Sequence, residues 1–137
     1  MNNRILALST LAAIIIAGLW FYPFSANVPE SGTPMVDVKL PADLQDVMAG
    51  KLAFDENCAV CHGKNASGSN GNGPPLIHKI YEPGHHGDIA FVLAAKTGTR
   101  AHHWKFGNMP RVEGVTDTQV TDIIAYVRKL QRANGIN

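Results

Sequence analysis

The sequence predicts an all-α fold, three to four helices joined by long loops and preceded by one apolar helix at the N-terminus. Three observations predict it. Apolar residues recur at three- and four-residue spacing in three separate stretches after Pro41, the period of a helix that buries one face. Two of these stretches carry boundary signals, a Thr-x-x-Gln box at Thr116 and a stopping glycine at Gly98. Strand alternation is weak throughout. With 137 residues, the chain has room for one compact domain and not for a dinucleotide-binding fold with a separate substrate domain. Twelve Lys and Arg against eleven Asp and Glu leave no basic excess, so nucleic acid is not among the expected partners.

After Met1-Asn2-Asn3-Arg4, eighteen residues from Ile5 to Tyr22 carry no charge. At about 1.5 Å each they span about 27 Å, close to the hydrocarbon thickness of a bilayer, and Trp20, Phe21 and Tyr22 stand where an aromatic belt belongs. The nearest small-x-small site, Phe24-Ser25-Ala26, has a bulky first residue and makes a poor cleavage signal. Residues 1–22 therefore read as a transmembrane anchor or uncleaved signal, with a cleaved signal as the alternative. Arg4 is the only base on the short side, which leaves the N-terminus in the cytoplasm and sends the rest across. The expected location is a bacterial inner membrane with the domain in the periplasm. Residues 23–40, with Pro23, Pro29, Ser31, Gly32, Thr33 and Pro34 and no helical period, read as a flexible linker. Residues 41–137 are then the domain.

The first helix of the domain is expected from about Ala42, with Leu44, Val47, Met48 and Leu52 on its apolar face. It runs into Cys58-Ala59-Val60-Cys61-His62, which holds both cysteines of the chain. No disulfide framework can exist, and thiol chemistry must pass through this pair. Two thiols three residues apart on a helical turn face the same way and can join the two vinyl groups of one porphyrin edge, while the next residue offers an imidazole to the iron. A zinc half-site would need a second Cys or Cys-His pair, and a thioredoxin-like pair would follow a strand in a β-α-β pattern. Neither context is present. The motif predicts one covalent haem c through Cys58 and Cys61, with His62 as an axial ligand.

The loops from Gly63 to Gly87 and from Gly98 to Thr116 are too polar and glycine-rich to make a core alone, and haem would supply the missing apolar volume. Between them a helix from Asp88 to about Lys96 presents Ile89, Val92 and Leu93. The last helix begins at Thr116, presents Val120, Ile123, Ile124, Val127 and Leu130, and ends before Gly135.

Ala49-Gly50-Lys51-Leu52-Ala53-Phe54 followed by Asn57-Cys58-Ala59-Val60-Cys61-His62-Gly63 resembles the small monohaem class I cytochromes c. The resemblance extends from Leu44 to Leu130 and includes Gly73-Pro74-Pro75-Leu76, Gly107-Asn108-Met109-Pro110 and Ile123-Ile124-Ala125-Tyr126-Val127. It implies the cytochrome c fold, with Gly50 letting the first helix approach the last and Phe54 packing on Tyr126. It also implies that the Pro74 carbonyl accepts the Nδ1 proton of His62 and that Leu76 lies against the porphyrin. Met109, the only methionine after the motif and 47 residues beyond His62, is the implied sixth ligand. His78, His85, His86, His102 and His103 are its rivals. A thioether opposite imidazole favours ferrous iron and a high potential.

Lys64, Lys79, Lys96, Arg100, Lys105 and Arg111 fall in or beside the loops expected around the haem edge. A positive ring there would steer the domain to redox partners with an acidic docking face. The pairs His85-His86 and His102-His103 exceed what a plain electron carrier needs. They are read either as partners of the haem propionates, together with Trp104 and Arg100, or as a second site for copper or zinc. The leading function is a membrane-tethered carrier of single electrons between redox partners of a respiratory-type chain, and not an enzyme. The alternatives are the haem subunit of a periplasmic oxidoreductase and a cytochrome whose histidine loops serve metal handling.

Overall fold

The computed structural model describes residues 32–137. The expected anchor at 1–22 lies outside them, and among the described residues no helix is long and apolar enough to cross a membrane. Four α-helices form: α1 (Met48–Asn57), α2 (Ala59–His62), α3 (Asp88–Thr97) and α4 (Asp117–Ala133). Short 3-10 turns occupy Gln45–Val47, Lys64–Ala66 and Lys79–Tyr81. The described residues contain no strand, only isolated bridges pairing Ser69 with Gly73 and Thr99 with Met109. The domain is therefore all-α.

The first helix starts later than the apolar spacing suggests. The Asp43 carboxylate accepts the Gln45 N–H at 2.8 Å and the Leu44 carbonyl accepts the Val47 N–H at 3.1 Å. These local bonds hold the chain in turns until Met48. From there α1 buries Gly50, Ala53 and Phe54 against α4. A Cβ on Gly50 would stand 2.0 Å from the Asp122 carbonyl oxygen and 3.0 Å from Tyr126 Cβ. Only a bare Cα fits at this crossing. Beside it the Phe54 and Tyr126 rings tilt at 57° with centroids 5.7 Å apart, an edge-on arrangement that adds to plain burial. Leu130 and Val127 complete the centre. In an unobstructed helix Gly→Ala gains about 1 kcal/mol. Here the clash reverses the sign, and Gly50→Ala is expected to cost more than about 2 kcal/mol. Thermal denaturation of the haem-loaded protein measures it, and an unchanged or raised Tm would refute the close contact.

Helix α4 begins with a full capping box: the Gln119 N–H donates to Thr116 Oγ1 at 3.2 Å and the Thr116 N–H donates to Gln119 Oε1 at 2.9 Å. Its buried face holds the five expected apolar residues and also Arg128 and Gln131. Arg128 donates to Asp88 Oδ1 at 2.8 Å, to the Tyr81 carbonyl at 2.7 Å, to Gln131 Oε1 at 2.6 Å and to the His86 carbonyl at 2.5 Å. Gln131 in turn donates to the carbonyls of Leu76 and Tyr81. These two side chains supply the donors that the loop between Leu76 and Asp88 cannot find in a helix or sheet.

The rotation of α3 departs from the expected face. Of the expected residues Ile89 is 67% exposed while Leu93 lines the cavity described below, and Phe91 joins the inward side by packing against the core. The Arg128 guanidinium lies 4.8 Å from the Phe91 ring centre and is bonded to Asp88, so it fixes which side of α3 turns inward. Gly98 ends the helix with φ +73°, and a Cβ there would meet the Met109 carbonyl oxygen at 2.5 Å.

Residues 32–40, expected as the end of the linker, belong to the domain. The Met35 and Val36 N–H groups both donate to the Ser67 carbonyl at 3.1 Å. Lys39 exchanges two hydrogen bonds with the Asn134 side chain. Val36 and Val38 pack on the core, an alternation of period two that a search for helical period passes over.

Candidate haem site

Helices α1 and α2 meet at the motif. The Cys58 N–H donates to the Phe54 carbonyl at 2.8 Å as the last bond of α1, and the His62 N–H donates to the Cys58 carbonyl at 2.9 Å as the closing bond of α2. One turn therefore carries both thiols and the imidazole. Cys58 is half-buried and Cys61 exposed. Burial, and secondarily the neighbouring Cys61, pushes the Cys58 thiol up to about 11.

His62 is buried, and its Nδ1–H donates to the Pro74 carbonyl at 2.9 Å. That bond assigns the tautomer and leaves Nε2 as the nitrogen able to bind a metal. Burial lowers the His62 pKa, and the Pro74 carbonyl partly offsets this. The ring is thus neutral, the form a metal requires. Pro74 is held in place because the next residues are: the Leu76 N–H donates to the Ala66 carbonyl at 2.9 Å. Ala66 and Asn65 both adopt left-handed backbone, φ 61° and 56°, and Asn65 Oδ1 accepts from the Tyr126 hydroxyl at 3.2 Å. The core thus reaches the motif through a strained turn.

A cavity of about 420 Å³ opens beside the motif, with Cys58, His62, Pro74 and Leu76 in its wall. Phe91 and Leu93 from α3 and Ile123 and Ile124 from α4 make it apolar, and Arg100, Trp104 and Met109 come from the loop between these helices. His86, His102 and His103 also line it, whereas Cys61 and His85 stand outside the wall. Met109 is locked to the end of α3 by a reciprocal pair of backbone bonds with Thr99, both 3.0 Å.

This cavity fits haem c. It brings a thiol, a neutral imidazole and a thioether to one apolar space of the volume usual for ligands. The Trp104 indole Nε1 is buried without a hydrogen-bond partner among the described residues. It stands close enough to the Tyr81 hydroxyl to affect its titration but does not bond it. A buried orphan donor needs an acceptor, and a haem carboxylate in this cavity would supply one.

The sixth histidine, His78, caps the 3-10 turn at Lys79–Tyr81 by accepting the Ile80 N–H. Close packing among the imidazoles lowers the His103 pKa, first by desolvation and then by repulsion from His102, His86 and His85. Of the expected cationic ring, Lys79, Lys96 and Arg111 pair with Glu82, Asp117 and Glu113. Lys64, Arg100 and Lys105 have no ion pair among the described residues. Arg128 and Gln131 were not legible as site residues from composition. Their signal is that Arg128 falls four residues after Ile124 on the apolar line of α4, where a charge must be paired.

A helical frame, a Cys-x-x-Cys-His turn and an apolar cavity with imidazole and thioether donors define a haem-bearing electron carrier. The chain belongs to the cytochrome c family, whose sequence profile matches residues 47–131. It binds haem c covalently and carries electrons. It is similar to the Cbb3-type cytochrome c oxidase subunit CcoP of Azospirillum brasilense, 35% identical over 98 residues that cover 67% of this chain and 31% of that protein. The protein of the same description from Azospirillum sp. (strain B510) is 34% identical over 96 residues, 65% of this chain and 30% of that one. The chain thus spans about a third of the length of these relatives. No solved structure matches.

Proposed function

We propose that this chain is a periplasm-facing monohaem cytochrome c, tethered to the inner membrane by residues 1–22, that passes single electrons to or within a cbb3-type terminal oxidase. The observation that carries the reading is the His62–Pro74 hydrogen bond in the wall of the cavity that Met109 also lines. Bound haem c supplies a one-electron ferric/ferrous couple, set high by imidazole and thioether ligation. Cys58 and Cys61 hold its edge, and His62 offers Nε2 because Pro74 occupies Nδ1. Met109 offers sulfur from a position fixed by Thr99. Leu76 excludes water from the face beside His62, and Trp104 and Arg100 serve the carboxylates. Lys64 and Lys105 give the surface an unpaired positive charge suited to an acidic partner. The family membership and the likeness to oxidase subunits support the role.

The alternative is a haem subunit whose iron keeps an open position for a small substrate. Spectroscopy separates the two. The oxidised protein is expected to show the weak near-infrared charge-transfer band of an iron–thioether bond, and the reduced protein is expected not to bind carbon monoxide. Met109→Ala should abolish the band, lower the midpoint potential and admit carbon monoxide. Carbon monoxide binding by the unmodified protein would overturn the carrier assignment.

A further inference from the structure

Four histidines that hold no haem in this reading lie together, and three of them bring ring nitrogens close enough to share one ion. His85 Nε2 lies 3.4 Å from His103 Nε2, and His86 Nε2 lies 3.4 Å from His102 Nε2. His85, His86 and His103 each bring one ring nitrogen within 4.8 Å of the other two. The residues of the close pairs are 18 and 16 positions apart in sequence, so the cluster exists only because α3 and the turn at Gly98 bring the second loop back to the first.

Hydrogen bonds at the far side of two rings decide what the near side can do. His86 Nδ1–H donates to the Ile80 carbonyl at 2.7 Å, and His102 Nδ1–H donates to the Arg100 carbonyl at 2.7 Å. A neutral imidazole has one N–H, so both Nε2 atoms carry lone pairs and no proton. Two acceptors 3.4 Å apart do not attract each other. Protonating either ring would relieve the pair but would place a charge among three further imidazoles. A bound cation relieves it without that penalty, and Nδ1–H on a carbonyl with Nε2 on the metal is the usual arrangement of a ligating histidine.

Distance selects the geometry. Nitrogens about 2.0–2.1 Å from zinc at tetrahedral corners are about 3.3–3.4 Å apart, whereas adjacent square-planar positions are about 2.8–3.0 Å apart. The 3.4 Å His85–His103 separation matches a tetrahedral edge, and His86 lies within 4.8 Å of both, close enough for a small ring rotation to bring it to a third corner. We propose that His85, His86 and His103 form a three-nitrogen binding site for zinc(II), with His102 beside His86 at its edge. The site ties the loop ahead of α3 to the loop that leads into Met109, two segments that no backbone hydrogen bond joins among the described residues. It rests on the reading that Met109, and none of these histidines, serves the haem opposite His62.

The test is calorimetric titration of the chelator-treated, haem-loaded full chain with zinc chloride. The expected result is one site per chain with Kd tighter than about 1 μM. His85→Ala and His103→Ala should each weaken it at least about tenfold. Among the described residues His85 bonds only to His103 and stands outside the cavity wall, so His85→Ala should keep the parent haem spectrum. His78→Ala should leave zinc affinity unchanged. Copper(II) is a poor probe because it binds adventitious imidazoles tightly. The proposal is overturned if the parent shows no saturable site, or if His103→Ala binds zinc as tightly as the parent does.

Discussion

The Cys58→Ala/Cys61→Ala chain is expected to lose its haem to acid–acetone extraction, while the parent keeps its colour with the protein. It is also expected to lose cooperative thermal unfolding. No other thiol exists in the chain, so nothing can replace the lost thioethers. The cavity walls then have no apolar body between them. At about 24 cal/mol per Å³, a cavity of about 420 Å³ costs about 10 kcal/mol if it stays closed and dry. Collapse of the walls or entry of water lowers this cost, so it is an upper bound. Half of it would still equal the whole stability of many small domains. Circular dichroism of the double variant should show depleted helix and no sharp transition. Colour that stays with the protein after extraction of the variant would refute covalent attachment at these residues.

Arg128→Leu is expected to lower stability by about 3–5 kcal/mol with haem still bound. The substitution leaves the His86 carbonyl and Gln131 Oε1 without the donor each has now, and each stranded buried group costs about 1–3 kcal/mol. It also frees α3, whose Asp88 and Phe91 both rest on the guanidinium. For a domain of this size the loss corresponds to a fall in Tm of at least about 10 °C. A fall below about 3 °C would mean that the Arg128 bonds are replaced by water at little cost.

Parts of the fold governed by neighbours in sequence were readable in advance. Gly98 and the Thr116–Gln119 box mark the end of α3 and the start of α4 because caps are local hydrogen-bonding problems. The close crossing at Gly50 and the Phe54–Tyr126 pair followed from family resemblance. The start of α1 was misplaced because Asp43 competes for the backbone, which apolar spacing does not register. The face of α3 was misassigned at Ile89 for a longer-range reason: Arg128, forty residues beyond Asp88, rests on Phe91 and decides the rotation, while Leu93 lines the cavity. The valines at 36 and 38 were passed over because their partners are assembled from Ser67 and Asn134. In the candidate site, the turn from Cys58 to His62 was legible because the motif is contiguous, and the structure places Cys58 and His62 in the cavity wall. The sequence offered the meeting of His85 and His86 with His102 and His103 only as one of two readings, since it depends on the length and direction of α3.

The reciprocal bonds between Thr99 and Met109 have a consequence for how such a protein diversifies. They tie off residues 100–108 as a closed loop, and the Ala101 N–H bonded to Asn108 Oδ1 at 3.0 Å fastens it a second time. Replacing or lengthening the stretch from His102 to Phe106 therefore leaves both Met109 and α3 where they are. The segment behaves as an interchangeable cassette. A lineage could discard or rewrite its histidines and its cation at Lys105, and so change what the surface recognises, without retuning the sulfur that faces the cavity.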